Sequence, residues 1–377
     1  MKVAVIMPLA EARGGGEQMF WVLLQKGRNK GIDFVAIFLH DGPLVGEVKG
    51  LGIPVYVVES GKMREVHHFL PAVTKIANLL RQDNIDAVIS WMGTGHLYGG
   101  SAASKAKIPE LWYQLGIPWD KPLIDRIGAR IRTDGILACS QAGADAQAAM
   151  TPQHPPRVIH PGAELDRFDP ASLPSPAEAR RRCGLPETGP IIGIVGRLQK
   201  WKGMHVFAEA MAQVLKTHPD AFGVIVGGDH EFEPDYPAFL RHRIAELGVA
   251  DKIRLTGIQK NVPEWMQAMD VVVHASDSEP FGIVIVEAMA LGKPVVAGDK
   301  AGPQEIIHEG ENGLFAPYGD ATALTGAIRR YLDDPAFAAR VGAAAQKRAQ
   351  DFSVDSYAQK VVNAIIEIAG STKNSSC

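Results

Sequence analysis

Pro190-Ile191-Ile192-Gly193-Ile194-Val195-Gly196-Arg197-Leu198-Gln199-Lys200-Trp201-Lys202-Gly203 is the stretch on which the reading of the fold turns. It begins as a short, continuous apolar run that stops at glycine, the pattern of a strand buried on both faces. A cationic loop follows, and Met204 to Leu215 then carries apolar residues at helical spacing. The same strand–turn–helix pattern recurs on either side. Upstream, Val3 to Met7 is an apolar run ended by Pro8, Gly14-Gly15-Gly16 makes a turn, and Glu17 to Lys30 places Met19, Phe20, Leu23 and Leu24 at helical spacing. Phe34 to Leu39, Val55 to Val58, Ala87 to Trp91 and Ile136 to Ser140 read as further strands, and Phe69 to Leu80 as a helix. Downstream, Phe222 to Val226, Ile253 to Thr256, Val271 to Ala275 and Pro294 to Ala297 read as strands, with Val262 to Ala268 and Gly282 to Leu291 helical. Repeated units of this length argue for an α/β fold of parallel sheets with helices on both faces. Between the two runs, Ile159 to Leu185 is irregular and holds Pro161, Pro170, Pro174 and Pro176, the composition of a domain connection. The expectation is two Rossmann-like domains facing across a cleft, with ligands at the carboxyl ends of the strands.

A chain of 377 residues has room for two domains at roughly 150 residues each. Its net charge of −3 supplies no electrostatic reason for a nucleic-acid partner. Cys139, Cys183 and Cys377 lie far apart and form no CxxC pair. They read as reduced thiols of a cytoplasmic protein, neither a disulfide framework nor a zinc site. No segment approaches the ~20 apolar residues that span a bilayer, and the run at Met1 to Ile6 is too short for a signal peptide. Past Ser353, residues Tyr357, Val361, Val362, Ile365 and Ile366 recur at helical spacing, and Ser371 to Cys377 is a polar tail expected to fray.

The chemistry concentrates in Ser276-Asp277-Ser278-Glu279-Pro280-Phe281-Gly282-Ile283-Val284-Ile285-Val286-Glu287. A buried strand leads into a loop that opens into a helix near Gly282. The amides of Gly282 and Ile283 sit at the positive end of that helix, which suits a phosphate. Glu279 and Glu287 bracket it; standing alone they read equally as a loop charge and an exposed helix residue, but carboxylates also accept hydrogen bonds from sugar diols. Arg197 and Lys202 add two cations to the loop after Val195, one a bidentate phosphate binder and the other a mobile point charge. A solvated basic loop is the plain alternative. Gly15 and Gly16 follow the first strand but do not make G-x-G-x-x-G. Asp229, Glu231, Glu233 and Asp235 alternate in one loop and read first as a solvated acidic loop, so no metal is expected.

Taken together, Glu279-x7-Glu287, the Gly-Arg-Leu…Lys-Gly loop, the Gly-Gly-x-Glu turn ending at Glu17, and Pro161-Gly162-Ala163-Glu164 resemble the GT-B-fold retaining glycosyltransferases of family 4, the glycosyl transferases group 1. The resemblance runs over nearly the whole chain and is strongest from about Gly193 to Leu314. It implies an acceptor-binding domain over 1–168, a nucleotide-sugar-binding domain over 169–352, and a helix over 353–377 that packs back on the first. It implies that Arg197 and Lys202 neutralise the donor diphosphate, that Glu279 contacts the transferred sugar, and that Glu287 takes the ribose hydroxyls. Gly282 and Ile283 would offer amides to phosphate or sugar, Gly15 and Gly16 would approach the diphosphate, and Ile258 would lie near the base. Where many members carry a sugar-binding His, the matching stretch here has Gln114, which hydrogen-bonds but carries no charge. His96, in the segment Gly93-Thr94-Gly95-His96 read as a loop, is a candidate for acceptor or sugar binding or a structural histidine.

The expected activity is transfer of a sugar, with retention, from a nucleotide-diphosphate sugar to a hydroxyl of a cell-envelope glycan or lipid-linked glycan, with no cofactor required. A nucleotide-sugar epimerase and a non-catalytic sugar-nucleotide binder remain as alternatives. A nicotinamide oxidoreductase is disfavoured because neither half shows G-x-G-x-x-G followed by a ribose-binding acid. Lys105, Lys107, Lys121, Arg126, Arg130 and Arg132 form a basic region that reads either as ordinary surface charge or as a peripheral seat on the inner face of a membrane.

Overall fold

The computed structural model describes residues 1–11, 14–61, 66–118 and 123–374. The chain divides into two compact units, Met1–Gly162 with Val354–Cys377, and Ala163–Ser353. The first is built on seven strands: β1 (Lys2–Met7), β2 (Asp33–Phe38), β3 (Val55–Val57), β4 (Ala87–Trp91), β5 (Glu110–Gln114), β6 (Gly135–Ala138) and β7 (Arg157–Val158). Their order is β3-β2-β1-β4-β5-β6-β7. The second holds β8 (Ile191–Val195), β9 (Phe222–Val226), β10 (Ile253–Leu255), β11 (Val271–His274), β12 (Val295–Ala297) and β13 (Leu314–Phe315), in the order β10-β9-β8-β11-β12-β13. Every pairing between these strands is parallel.

The apolar runs are strands because both faces are covered. Val3 to Met7 and Val271 to Val273 are essentially unexposed, and helices close both faces of the second sheet in two apolar clusters. In each sheet the first strand lies between the second and the fourth, so chain progression reverses between β1 and β4 and between β8 and β11. Such a switch point places the loops that leave the two strands at the carboxyl edge where ligands bind open α/β sheets. The loops that follow β8 and β11, 196–203 and 275–282, are thereby neighbours.

Three local readings change. The first helix begins at Gly15 and ends at Gly27, giving way to a 3-10 turn over Arg28–Lys30. Residues 163–168, placed with the first half on sequence grounds, pack into the second unit: Ala163 N–H bonds the Phe352 carbonyl and Phe168 is buried in the second unit's core. The segment holding His96 is no loop but the helix Met92–Ala106. Its glycines are tertiary choices, since a Cβ on Gly95 would stand 2.9 Å from the Ile6 carbonyl and one on Gly99 2.3 Å from Ser90 Oγ. Close approach to the sheet outweighs the low helix propensity of glycine.

The last helix, Val354–Asn374, belongs to the first unit. Tyr357 is buried against it, and its hydroxyl donates to the Met19 carbonyl at 3.3 Å; Lys26 meets Asp355 at 3.3 Å at the rim. Tyr357→Ala empties a buried aromatic site and is expected to cost about 3–5 kcal/mol, whereas Tyr357→Phe loses one hydrogen bond at about 1 kcal/mol. Urea denaturation followed separately for each unit should show the first transition moving and the second staying in place.

Candidate active site

The stretch that opens at β8 contributes one wall. After Val195 the chain turns through Arg197 into a 3-10 turn, Lys200–Lys202, that ends at Gly203. Gly203 has φ +73, and a Cβ there would stand 2.1 Å from the Ala275 carbonyl. Only glycine satisfies both conditions, so this turn sits hard against the end of β11. The neighbouring loop is bound to it by the Asp277 N–H, which donates to the Trp201 carbonyl at 2.9 Å.

Across this seam Lys202 Nζ meets Glu279 Oε2 at 2.5 Å, with the two side chains 16% and 13% exposed. His274, at the end of β11, places Nε2 3.1 Å from the same Oε2 and 3.3 Å from Ser276 Oγ. Burial by itself would raise the Glu279 carboxyl; the Lys202 charge and the His274 and Lys202 contacts outweigh it and hold the group well below the usual carboxylate range. Glu279 is therefore ionised. Its Oε1 takes no hydrogen bond from the described residues.

Three residues on, Gly282 has φ +104 and caps the helix Ile283–Ala290. The Gly282 and Ile283 amides thus stand at that helix's positive end, beside the Lys202–Glu279 pair. Arg197 has no carboxylate within ion-pair distance among the described residues; its Nη1 donates to His230 Nε2 at 3.0 Å. A guanidinium without an acid, a lysine shared with one carboxylate, and a helix N-terminus give this end of the second sheet a positive surplus suited to an anion.

Glu287 lies in the same helix but turns elsewhere. It is half-buried, facing the 3-10 turn Leu165–Phe168, in the field of Arg167 and Glu164, which pair with each other at 2.7 Å. Burial pushes its carboxyl up to about 7, against the lowering pull of Arg167 and with a further push from Glu164. Ile258 is 81% exposed on the loop after β10, next to Gly228, where a Cβ would stand 2.2 Å from Ile258 Cγ1.

The first-unit residues form no single group. Gly15 and Gly16 open the helix Gly15–Gly27, and the Gly16 carbonyl accepts from Trp91 Nε1 at 2.9 Å. His96 is corrected from a ligand candidate to a core residue. It is 0% exposed, stacks on Trp112 at 4.3 Å, and contacts Glu110 Oε1 at 3.0 Å and the Gly128 carbonyl at 3.2 Å. No ring nitrogen is left for a sugar. Gln114 is buried, its Nε2 donating to Asp125 Oδ1 at 2.9 Å. Of the basic region, Lys105, Lys107, Arg126, Arg130 and Arg132 are exposed; Lys121 lies outside the described residues. The acidic loop does not gather: Glu233 accepts the Lys200 N–H at 2.7 Å, and no three His, Cys, Asp or Glu among the described residues are placed to hold a metal. Neither Cys139 nor Cys183 is in a disulfide among the described residues.

Sequence reading missed His274, Ser276, His230 and Glu164. His274 had a signal: it is the one polar residue in Val271 to Ala275, an otherwise apolar strand run. Glu164 closes the Pro161-Gly162-Ala163-Glu164 motif, but sequence reading gives it no role there; His230 had no signal, since only the folded chain brings it beside Arg197.

Residues 176–348 match the sequence profile of the family described as glycosyl transferases group 1. A D-inositol 3-phosphate glycosyltransferase of Streptomyces avermitilis is 36% identical over 207 residues, 53% of this chain and 44% of that one. LpsB, a lipopolysaccharide core biosynthesis mannosyltransferase of Rhizobium meliloti, is 32% identical over 250 residues, 64% of this chain and 66% of that one. The crystal structure of HepE from Anabaena in complex with UDP superposes with a TM-score of 0.87 at 25% identity, over 97% of this chain and 100% of that one. The same protein has been solved with UDP-glucose, with a TM-score of 0.84. The chain spans about half the length of the D-inositol 3-phosphate glycosyltransferases it matches.

Breaking the central pair should be costly. Lys202→Met strands a buried carboxylate and is expected to lower stability by about 3–5 kcal/mol. The double variant Lys202→Met/Glu279→Gln removes both charges and should recover most of that loss. A double-mutant cycle by chemical denaturation at pH 7.5 reads the coupling.

Proposed function

We infer that this chain, whose residues 176–348 are a glycosyl transferases group 1 domain, transfers a sugar from a nucleotide-diphosphate sugar to an acceptor hydroxyl with retention of configuration. The observation that carries the reading is the positive surplus at the switch point of the second sheet: Arg197 with no acid partner among the described residues, Lys202 on Glu279, and the Gly282 helix terminus beside them. A diphosphate is the ligand that such a group fits. The complexes of HepE with UDP and UDP-glucose support a UDP-sugar. LpsB, named for lipopolysaccharide core biosynthesis, supports a cell-envelope glycan or glycolipid as acceptor. The exposed Leu123 and Ile127 beside Arg126 and Arg130 support a peripheral seat on an anionic lipid surface.

Each residue then has a task. The donor diphosphate draws the Lys202 ammonium from Glu279 and takes Arg197 bidentately. As the anomeric carbon–oxygen bond breaks, negative charge grows on the departing phosphate, where both cations and the helix amides stabilise it. The acceptor hydroxyl attacks the same face of the oxocarbenium-like carbon. Its proton passes to the departing phosphate oxygen, so no separate base is needed. Glu279 holds the transferred sugar by its free carboxylate oxygen, and Glu287 holds the ribose diol.

A thermal-shift panel of UDP, GDP, ADP and their sugars should give one strong stabiliser, because a ligand of the native state raises apparent stability. Arg197→Ala is expected to keep the fold and lose on the order of a hundredfold or more in turnover; unchanged turnover in the folded variant refutes its role. Glu287 supplies the pH test. It accepts from the diol best when ionised, so donor affinity should rise as pH climbs through about 7 and be flat in Glu287→Gln. The same burial lowers stability as pH rises from 4.5 to about 7, since the native state there holds the proton more tightly than the unfolded chain. Glu287→Gln should therefore have a higher Tm than the wild type at pH 8 while binding donor less well.

A further inference from the structure

His274 does no work in the reading given so far, yet it is among the most constrained groups in the second unit. It ends β11, it is 4% exposed, and its Nδ1 is buried with no hydrogen-bond partner among the described residues. A buried polar atom left unsatisfied costs stability, and a native structure that keeps one calls for a reason. An apolar side chain at this position would remove that cost, and the three strand residues before it are all valine.

The other ring nitrogen supplies the reason. Nε2 is 3.1 Å from Glu279 Oε2. An ionised carboxylate only accepts, so the proton is on Nε2 and the ring donates. Lys202 holds the same oxygen, at 2.5 Å. Both donors converge on Oε2, and no described residue donates to Oε1. Ser276 Oγ, 3.3 Å from Nε2, is buried beside the ring and helps to fix its plane.

We propose that His274 is a positioning residue: with Lys202 it pins one carboxylate oxygen of Glu279, so that the other alone faces the sugar being transferred. The inference rests on the glycosyl-transfer reading. It gives His274 its largest role once donor is bound. When the diphosphate draws Lys202 away, the imidazole is the remaining donor that keeps Glu279 from rotating. A carboxylate that is free to turn places its acceptor oxygen poorly, and a misplacement of about 1 Å costs on the order of a hundredfold in rate. The diphosphate and ribose contacts lie elsewhere, so the loss falls on kcat and spares the donor KM.

Three substitutions separate this role from a packing role. Gln carries its amide nitrogen to about the reach of Nε2, Asn stops near Nδ1, and Leu fills the space with no donor. His274→Leu and His274→Asn are expected to lose roughly tenfold to a hundredfold in kcat with donor KM within about threefold, while His274→Gln stays near the wild type. His274→Leu is expected to lower the Tm, because it takes a donor from a buried carboxylate, and His274→Gln to restore most of that loss. If Gln falls as far as Leu, or if all three keep wild-type kcat, the proposal is overturned. A second arm uses no turnover. NMR of 15N-histidine-labelled protein, with the His274 signals identified by their loss in His274→Gln, should show Nε2 protonated and Nδ1 bare. An Nδ1-protonated ring overturns the pairing whether or not the protein is active. A wild type that turns over no sugar nucleotide overturns the functional reading instead, and the tautomer still decides the pairing.

Discussion

The Lys202–Glu279 ion pair is the interaction on which the site is built. Two charges this far from water are expensive to bury, and their attraction offsets that cost only when geometry is close and the remaining lone pairs find donors. The second unit meets both conditions through topology. Strands β8 and β11 are neighbours in space although far apart in sequence, so the loops leaving them meet edge to edge. Gly203 lets the first loop press against the end of β11, and the Trp201 carbonyl takes the Asp277 amide across the seam. The pair and His274 are consequences of that contact.

The pair also sets the charge state of the loops around it. Lys202 is neutralised by Glu279 and the carboxylate is held ionised. Arg197 rests on His230 rather than on an acid, so an incoming anion displaces no ion pair at that residue. Glu287 is the opposite case. Its carboxyl is pushed up to about 7 by burial, a cost to the native state wherever the group is ionised.

The paired sheets were legible in the sequence because strands covered on both faces must be apolar throughout, and Val3 to Met7 and Pro190 to Val195 read that way without any contact information. The loops carrying Arg197, Lys202, Glu279 and Gly282 were legible for a related reason, since they follow such strands directly. The helix Met92–Ala106 was not. Its glycines argue locally against a helix, and only the closeness of Ile6 and Ser90 accounts for them. For the same cause the sequence leaves His96 open between a ligand and a structural residue: a loop position would turn its side chain to water, whereas in the helix it lies against Trp112 and Glu110 in the first unit's interior.

What the sequence determined by itself is periodicity and punctuation: where strands run, where glycine ends them, and which charged residues follow. Those are properties of neighbouring residues, set by sterics and by the need to bury apolar surface. What the tertiary structure alone decided is which charges meet. Lys202 and Glu279 are separated by 77 positions, His230 is 33 from Arg197, and Glu287 finds Glu164 and Arg167 across the unit's core. Electrostatic interactions of this kind depend on distance in space and on exclusion of water, and neither is written in the order of residues along the chain.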